Sequence, residues 1–148
     1  MSLTYTVEPD PYSADTSWVI DRLVAFNESR VGSRNVRNFG IFARDQDGEL
    51  LAGLLCTCHW NYLFVSAVFV DESQRAKGVG RELLSAAEKL ALQNRCDAIY
   101  LDTFDFQAPG FYEKFGFRIF GDLKDYPPGH IRYFMVKDVT VSCLGQHL

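Results

Sequence analysis

No apolar stretch in these 148 residues approaches the roughly 18 uncharged positions that a membrane-spanning helix requires, so a membrane partner is not expected. The opening Met1-Ser2-Leu3-Thr4-Tyr5-Thr6-Val7-Glu8 has neither a basic flank nor an apolar run, so no export leader is read there and a cytoplasmic location is expected. Positive charge is also in deficit. Fifteen Lys and Arg against nineteen Asp and Glu leave a net charge of -4, whereas a nucleic-acid-binding domain normally carries a basic face. The four cysteines lack metal-ligand spacing: Cys56 and Cys58 sit two apart in an apolar run, and Cys96 and Cys143 stand alone. Neither zinc nor disulfides are expected, and Cys56 and Cys58 read as small apolar groups on one face of a strand. No Gly-Lys-Ser/Thr occurs, which excludes a Walker loop.

What is present is apolar and aromatic. With 47% hydrophobic and 14% aromatic residues the chain can bury a sizeable core, and residues 1–148 read as one domain. Thr4 to Val7 suits a short strand, and Ser13 or Asp15 suits the cap of a helix through Trp18, Ile20, Leu23 and Phe26 that ends near Gly32. Phe39 to Arg44 alternates into Asp47-Gly48, a two-residue hairpin signal, and Leu50 to Trp60 returns. Asn61-Tyr62 then turns the chain into an apolar strand, Leu63 to Val70, followed by a polar loop from Asp71 to Lys77. From Val79 the period becomes 3.6, with Leu83, Leu84, Ala87, Leu90 and Ala91 inward and Arg81, Glu82, Ser85, Glu88 and Lys89 outward. Ala98 to Thr103 is the next strand, a parallel neighbour of the one before the helix. A short helix from Pro109 to Gly116 and a closing hairpin, Phe117 to Leu123 and Ile131 to Lys137 around Tyr126–His130, complete an α/β (α+β) pattern. The expected architecture is a mixed central sheet with antiparallel hairpins, one parallel crossover and helices on both faces.

The segment Arg75-Ala76-Lys77-Gly78-Val79-Gly80 lies between the apolar strand and the amphipathic helix. A helix start offers free backbone N–H groups and partial positive charge, which suits a pyrophosphate. Gly78 and Gly80 permit backbone shapes and approaches that other residues bar, and Arg75, Lys77 and Arg81 place three cations within seven positions of an acidic chain. A dinucleotide-binding turn is the rival, because Asp102 follows Gly80 by 22 residues at a strand end. Two features oppose it: Leu83 stands where the third glycine belongs, and seven polar positions separate the strand from Gly78.

Val68-Phe69-Val70, then Gln74-Arg75-Ala76-Lys77-Gly78-Val79-Gly80, then Phe111-Tyr112-Glu113-Lys114-Phe115-Gly116-Phe117 resemble the GNAT acetyltransferases, and the order of elements resembles that fold over nearly the whole chain. The resemblance implies acetyl-coenzyme A as donor, with Val68 to Val70 offering backbone groups to the pantetheine arm. It implies that Arg75, Ala76, Lys77, Gly78, Val79, Gly80 and Arg81 hold the pyrophosphate, and that Tyr112 lies near the thioester sulfur. Many relatives carry Asn seven residues before the tyrosine and Ala four before it. Here Ala108 fits that pattern and Asp105 departs from it, since an ionised carboxylate accepts but does not donate hydrogen bonds.

Such a transfer needs an unprotonated amine, a stabilised oxyanion and a partner for the departing thiolate. Tyr112 is the candidate for the last role, and backbone N–H near Phe69 or Val70 for the second. Candidate proton acceptors are His59, Glu72, Asp102 and His130, with a water chain as the alternative. No metal is implied. The acceptor is expected at the first helix, the loop around Val31 to Asn38 and the Tyr126–His130 tip, where Arg30, Arg34 and Arg37 are candidates for an acidic group. A small-molecule primary amine is expected as acceptor, with a protein N-terminus or lysine as alternative, and a noncatalytic acyl-coenzyme A sensor as an alternative of another class. Asp138 to Leu148 reads as an arm able to cover a sheet edge in a homodimer.

Overall fold

In a computed structural model that describes residues 1–10 and 13–139, the chain divides into two units, Met1–Arg34 and Asn35–Leu148. The first unit holds helix α1 (Ala14–Val31). Ser13 is its N-cap and accepts from the Asp15 backbone N–H at 3.2 Å, while Gly32 ends it at φ 88°, a left-handed value that a side chain would strain. Arg22 lies over the Trp18 ring and Arg30 over Phe26, at 5.3 and 5.2 Å. Thr4 to Val7 does not form the expected strand, because extended propensity supplies no ladder partner for its backbone groups. Cys143 and the 140–148 part of the expected dimer arm lie outside the described residues.

The second unit contains a six-stranded mixed sheet: β1 (Arg37–Arg44), β2 (Leu50–His59), β3 (Tyr62–Val70), β4 (Ala98–Phe104), β5 (Arg118–Lys124) and β6 (Ile131–Asp138). Their order is β1-β2-β3-β4-β6-β5, and only β3 and β4 run parallel. The connection between that pair passes through α2 (Val79–Gln93), while α3 (Pro109–Lys114) links β4 to β5. The last hairpin folds back so that β6, not β5, lies beside β4.

Period-two and period-3.6 patterns meet in the core. Leu54, Cys56 and Cys58 of β2, Leu63 and Val65 of β3, and Ile99 and Leu101 of β4 are buried with Leu83, Leu84, Ala87 and Ala91 of α2. Fully burying a leucine of this kind is worth about 1.5–3 kcal/mol, and the alanines let the helix come close to the sheet. Glu88, expected to face solvent, instead pairs with Lys137 at 3.1 Å, with side chains only 19% and 14% exposed. Lys137 also lies 4.3 Å over the Phe115 ring, which shields the pair from water.

The first hairpin loop is longer than the expected two residues, and the second turn lies one residue earlier than the expected Asn61-Tyr62. Asp45 N–H donates to Glu49 O and Gly48 N–H to Asp45 O, so Asp47-Gly48 closes a longer loop whose carboxylate at Asp45 accepts from Asp47 and Glu49. The tight two-residue turn is Trp60-Asn61, with His59 opposite Tyr62. There Asn61 Nδ2 donates to Asp97 Oδ2 at 2.8 Å, which stabilises a turn that places Trp60 at φ 50°.

Candidate active site

The parallel ladder between β3 and β4 runs from Tyr62–Ala98 to Val65–Leu101 and stops. Beyond it the two strands part. A bulge in the β2–β3 pairing at Leu55/Cys56 contributes, since Ser66 is the extra residue and its hydroxyl donates to Leu55 O at 3.2 Å. The result is a cleft of about 720 Å³ with β3 residues 65–70 on one wall and β4 residues 101–104 on the other. Arg75, Gly80, Phe106, Gln107, Ala108, Phe111 and Tyr112 complete its lining. The facing strand edges are not bonded to each other there, so, apart from Phe104 N–H and Val70 O, which side chains engage, their backbone groups are open to a ligand with amides of its own.

Of the residues expected at the site, Val68, Phe69, Val70, Arg75, Gly80, Ala108 and Tyr112 are brought onto this one cleft. Ala76, Lys77, Gly78, Val79 and Arg81 do not line it; they form the turn and first helical turn that continue from Arg75. Asp71 starts this connection by accepting from the Ser73 backbone N–H and hydroxyl, which holds its carboxyl below the usual range, and a 3-10 turn Glu72–Gln74 follows. Arg75 Nε donates to Val70 O at 3.2 Å, with the guanidinium 6.0 Å over Phe69. That contact ties the loop to the end of β3. Ala76 then has φ 62° and Gly78 φ 80°, and Gly78 is the N-cap of α2 without a side-chain cap. The first-turn N–H groups of a helix have no intrahelical partner, so this turn presents donors beside the exposed Lys77 and Arg81.

The two glycines act for different reasons. Gly78 is needed for its backbone angle, since a β-carbon there would touch nothing within 4 Å. Gly80 gives space: a β-carbon would stand 3.1 Å from the Phe111 ring, which would have to give by a few tenths of an ångström. Helix α2 thereby packs on the helix carrying Tyr112.

Helix α3 begins at Pro109, whose missing N–H costs nothing in the first turn, and ends where Gly116 turns at φ 107° beneath Lys137. Phe117 N–H returns to Tyr112 O at 3.0 Å. The Tyr112 ring makes edge contacts with Phe111 and Phe117, at 5.4 and 5.9 Å, so it packs as an aromatic residue and also faces the cleft. Burial pushes its phenol above the ordinary value of 10.0, and the described residues give the hydroxyl no hydrogen-bond partner.

Past the end of β4, Gln107 Oε1 accepts from Phe104 N–H at 2.8 Å and from the Thr103 hydroxyl at 3.1 Å, which closes that strand. The Asp105 carboxylate turns to the last hairpin, accepting from Ile131 N–H at 3.2 Å and meeting His130 Nδ1 at 3.0 Å. Asp105 therefore replaces an amide with a hairpin anchor, and it is absent from the cleft lining. Asp102 does line the cleft, and Arg132 holds it with Nε at 3.1 Å and a terminal nitrogen at 3.0 Å. Rings of Phe104, Tyr126 and Phe134 surround the Arg132 guanidinium at 5.2–5.6 Å. No spacing in the sequence announces either pair, because one joins positions 30 apart and the other 25 apart through register alone.

The four candidate proton acceptors are thus separated. His59 stands at the turn end of β2, opposite Tyr62 where the ladder is intact, and Glu72 is exposed on the 3-10 turn; neither lines the cleft. Asp102 is ion-paired in the cleft wall, and His130 is one ring removed from it, edge-on to Phe106 at 5.1 Å. Arg37 is engaged by Asn94 Oδ1 and Asn35 O. Among the described residues no group of His, Cys, Asp and Glu has the arrangement of a metal site.

The Acetyltransferase (GNAT) family model matches residues 4–117 of the chain, which include the Arg75–Arg81 segment and the helix of Tyr112. Blasticidin-S acetyltransferase of Streptomyces morookaense is 35% identical over 108 residues, covering 72% of this chain and 79% of that protein. An acetyltransferase of Agrobacterium fabrum is 35% identical over 103 residues, 70% of this chain and 75% of that one. The crystal structure of an acetyltransferase from Bacillus cereus superposes with a TM-score of 0.83 at 28% identity, covering 90% of this chain and 97% of that one.

Proposed function

Since the chain belongs to the GNAT acetyltransferase family, we propose that it moves the acetyl group of acetyl-coenzyme A directly to the primary amine of a small molecule within a ternary complex. The observation that carries this reading is the parting of β3 and β4 beyond Val65–Leu101 into a cleft that holds Arg75 and Gly80 at one end and Tyr112 on its wall. The diphosphate of the donor suits the first turn of α2, and its amide-bearing arm suits the free edge at Val68–Val70, with Ala108 opposite. A relative at 35% identity is named for acetylating blasticidin S, which supports a small-molecule acceptor.

In this reading the acceptor ammonium first gives a proton to solvent, and the neutral nitrogen bonds to the acyl carbon. Backbone N–H near Phe69 or Val70 meets the oxyanion, the carbon–sulfur bond breaks, and the thiolate takes up the second proton that the nitrogen sheds. Tyr112 donates a hydrogen bond to the developing thiolate. Acetyl-coenzyme A should raise the melting temperature in a dose-dependent way while NAD does not, and free thiol should appear with a panel of small amines. Absence of any shift with acetyl-coenzyme A overturns the reading. Binding without thiol release on amines or peptides favours a noncatalytic sensor, and release on peptides alone favours a protein acceptor.

A further inference from the structure

We propose that Asp102 holds the amine nitrogen of the acceptor through its second carboxylate oxygen, first as the arriving ammonium and then, once that nitrogen has given a proton to solvent, by a hydrogen bond from the neutral amine; the inference rests on the acetyltransferase reading above. Asp102 is the first β4 residue past the last rung of the parallel ladder, so it stands where the cleft opens. Its neighbours Leu101 and Thr103 are buried on the α2 face, and by strand alternation Asp102 points to the opposite face with Tyr100 and Phe104. Both nitrogens of Arg132 fall on the same oxygen, Oδ1, at 3.1 and 3.0 Å. Oδ2 is left with no protein partner among the described residues.

The geometry of the pair leaves one carboxylate oxygen unengaged. Arg132 arrives diagonally, since its β-partner is Phe104 and that of Asp102 is Phe134, and three rings hold the guanidinium in place. It is thereby fixed as a one-sided partner, whereas a paired fork would occupy both oxygens. The carboxylate is 22% exposed and the guanidinium 27%, so an ammonium reaching Oδ2 replaces limited hydration with a charge-assisted hydrogen bond. Arg132 is the positioning residue. Aromatic walls from Phe104 and Phe106, whose rings stack 5.2 Å apart, line the approach and leave this carboxylate as the charged group of the cleft wall on that strand.

The test measures steady-state kinetics with whichever of blasticidin S, spermidine and 2-phenylethylamine the unaltered protein acetylates fastest, for the unaltered protein, Asp102→Asn, Asp102→Glu and Arg132→Gln. Asp102→Asn should raise the acceptor KM at least about tenfold while the acetyl-coenzyme A KM stays within about twofold. Asp102→Glu should recover part of the loss, and Arg132→Gln should raise the acceptor KM by less than about threefold. An unchanged acceptor KM in Asp102→Asn overturns the inference, as does a parallel rise in both KM values, or an Arg132→Gln defect as large as that of Asp102→Asn. In each of those cases acetylation by the unaltered protein stands. Failure of the unaltered protein to acetylate any of the three amines overturns the small-amine reading together with this one.

Discussion

A β-carbon on Gly80 would stand 3.1 Å from the ring of Phe111, so α2 and the helix that carries Tyr112 approach closely at this glycine. Under the proposed function this contact would link donor binding at the start of α2 to the placement of the neighbouring Tyr112. Gly80→Ala gains about 1 kcal/mol of helix propensity but overpacks the contact at a cost of about 1–3 kcal/mol. We expect a lower melting temperature and a Kd for acetyl-coenzyme A weakened about fivefold, read by scanning fluorimetry and calorimetry. Unaltered affinity would mean that the two helices bind independently.

Asp105→Asn tests the hairpin anchor. The pair with His130 is surface-exposed, 32% for the carboxylate and 46% for the ring, so its loss should cost no more than about 1 kcal/mol. Asparagine still accepts from Ile131 N–H, and the melting temperature should fall by only a few degrees. Because the carboxylate faces the hairpin, acetyl-coenzyme A affinity should stay within about twofold. A tenfold change in calorimetric Kd, about 1.4 kcal/mol, would place Asp105 against the donor instead.

How much of this was legible in the sequence depends on range. The α2 face of Leu83, Leu84, Ala87 and Ala91 repeats within one helix, so its burial is written locally. Gly78 announces its left-handed angle as a paired glycine before a helix, but the reason for Gly80 lies in Phe111, which no local rule connects to it. The closing hairpin was readable as two arms, yet either arm satisfies the same alternation beside β4, and only packing puts β6 there. Asp102–Arg132 and Asp105–His130 follow from that choice. The Asp47-Gly48 pair misled because Asp45 captures the backbone of the loop and lengthens it. Departure from the family pattern at Asp105 was visible, whereas its partner, a histidine 25 residues away, was not.

The three described thiols should be inert in the folded protein. Burial and the adjacent Cys58 thiol push Cys56 up to about 11 and Cys96 up to about 12, from an ordinary value of 9.0. Both groups thus stay protonated in the fold at a pH where the unfolded chain releases their protons. Their contribution to stability is complete below pH 9.0 and is lost as pH rises through that value toward about 11 and 12. Iodoacetamide at neutral pH should leave Cys56, Cys58 and Cys96 unmodified by peptide mapping until denaturant is added, since the thiolate is the reactive form. Rapid labelling of Cys56 in the native protein would contradict its 2% exposure.

Tyr112→Phe separates the role of the hydroxyl from that of the ring. Phenylalanine keeps the edge contacts with Phe111 and Phe117, so the fold and the cleft wall should persist. An ordinary phenol at pKa ~10 is already a weaker acid than a thiol at ~8.5, which makes full proton transfer to the thiolate uphill by roughly 2 kcal/mol. Burial raises the Tyr112 value further and increases that gap. In the proposed mechanism the hydroxyl would therefore act by donating a hydrogen bond to the sulfur as charge develops, while remaining protonated throughout the neutral range. We expect kcat to fall about 10²-fold with the acetyl-coenzyme A Kd within about twofold, and the pH profile below 9 to keep its shape. The defect should shrink with a donor whose thiol is a better leaving group, because that sulfur needs less stabilisation. Equal losses with both donors would assign the tyrosine to packing alone.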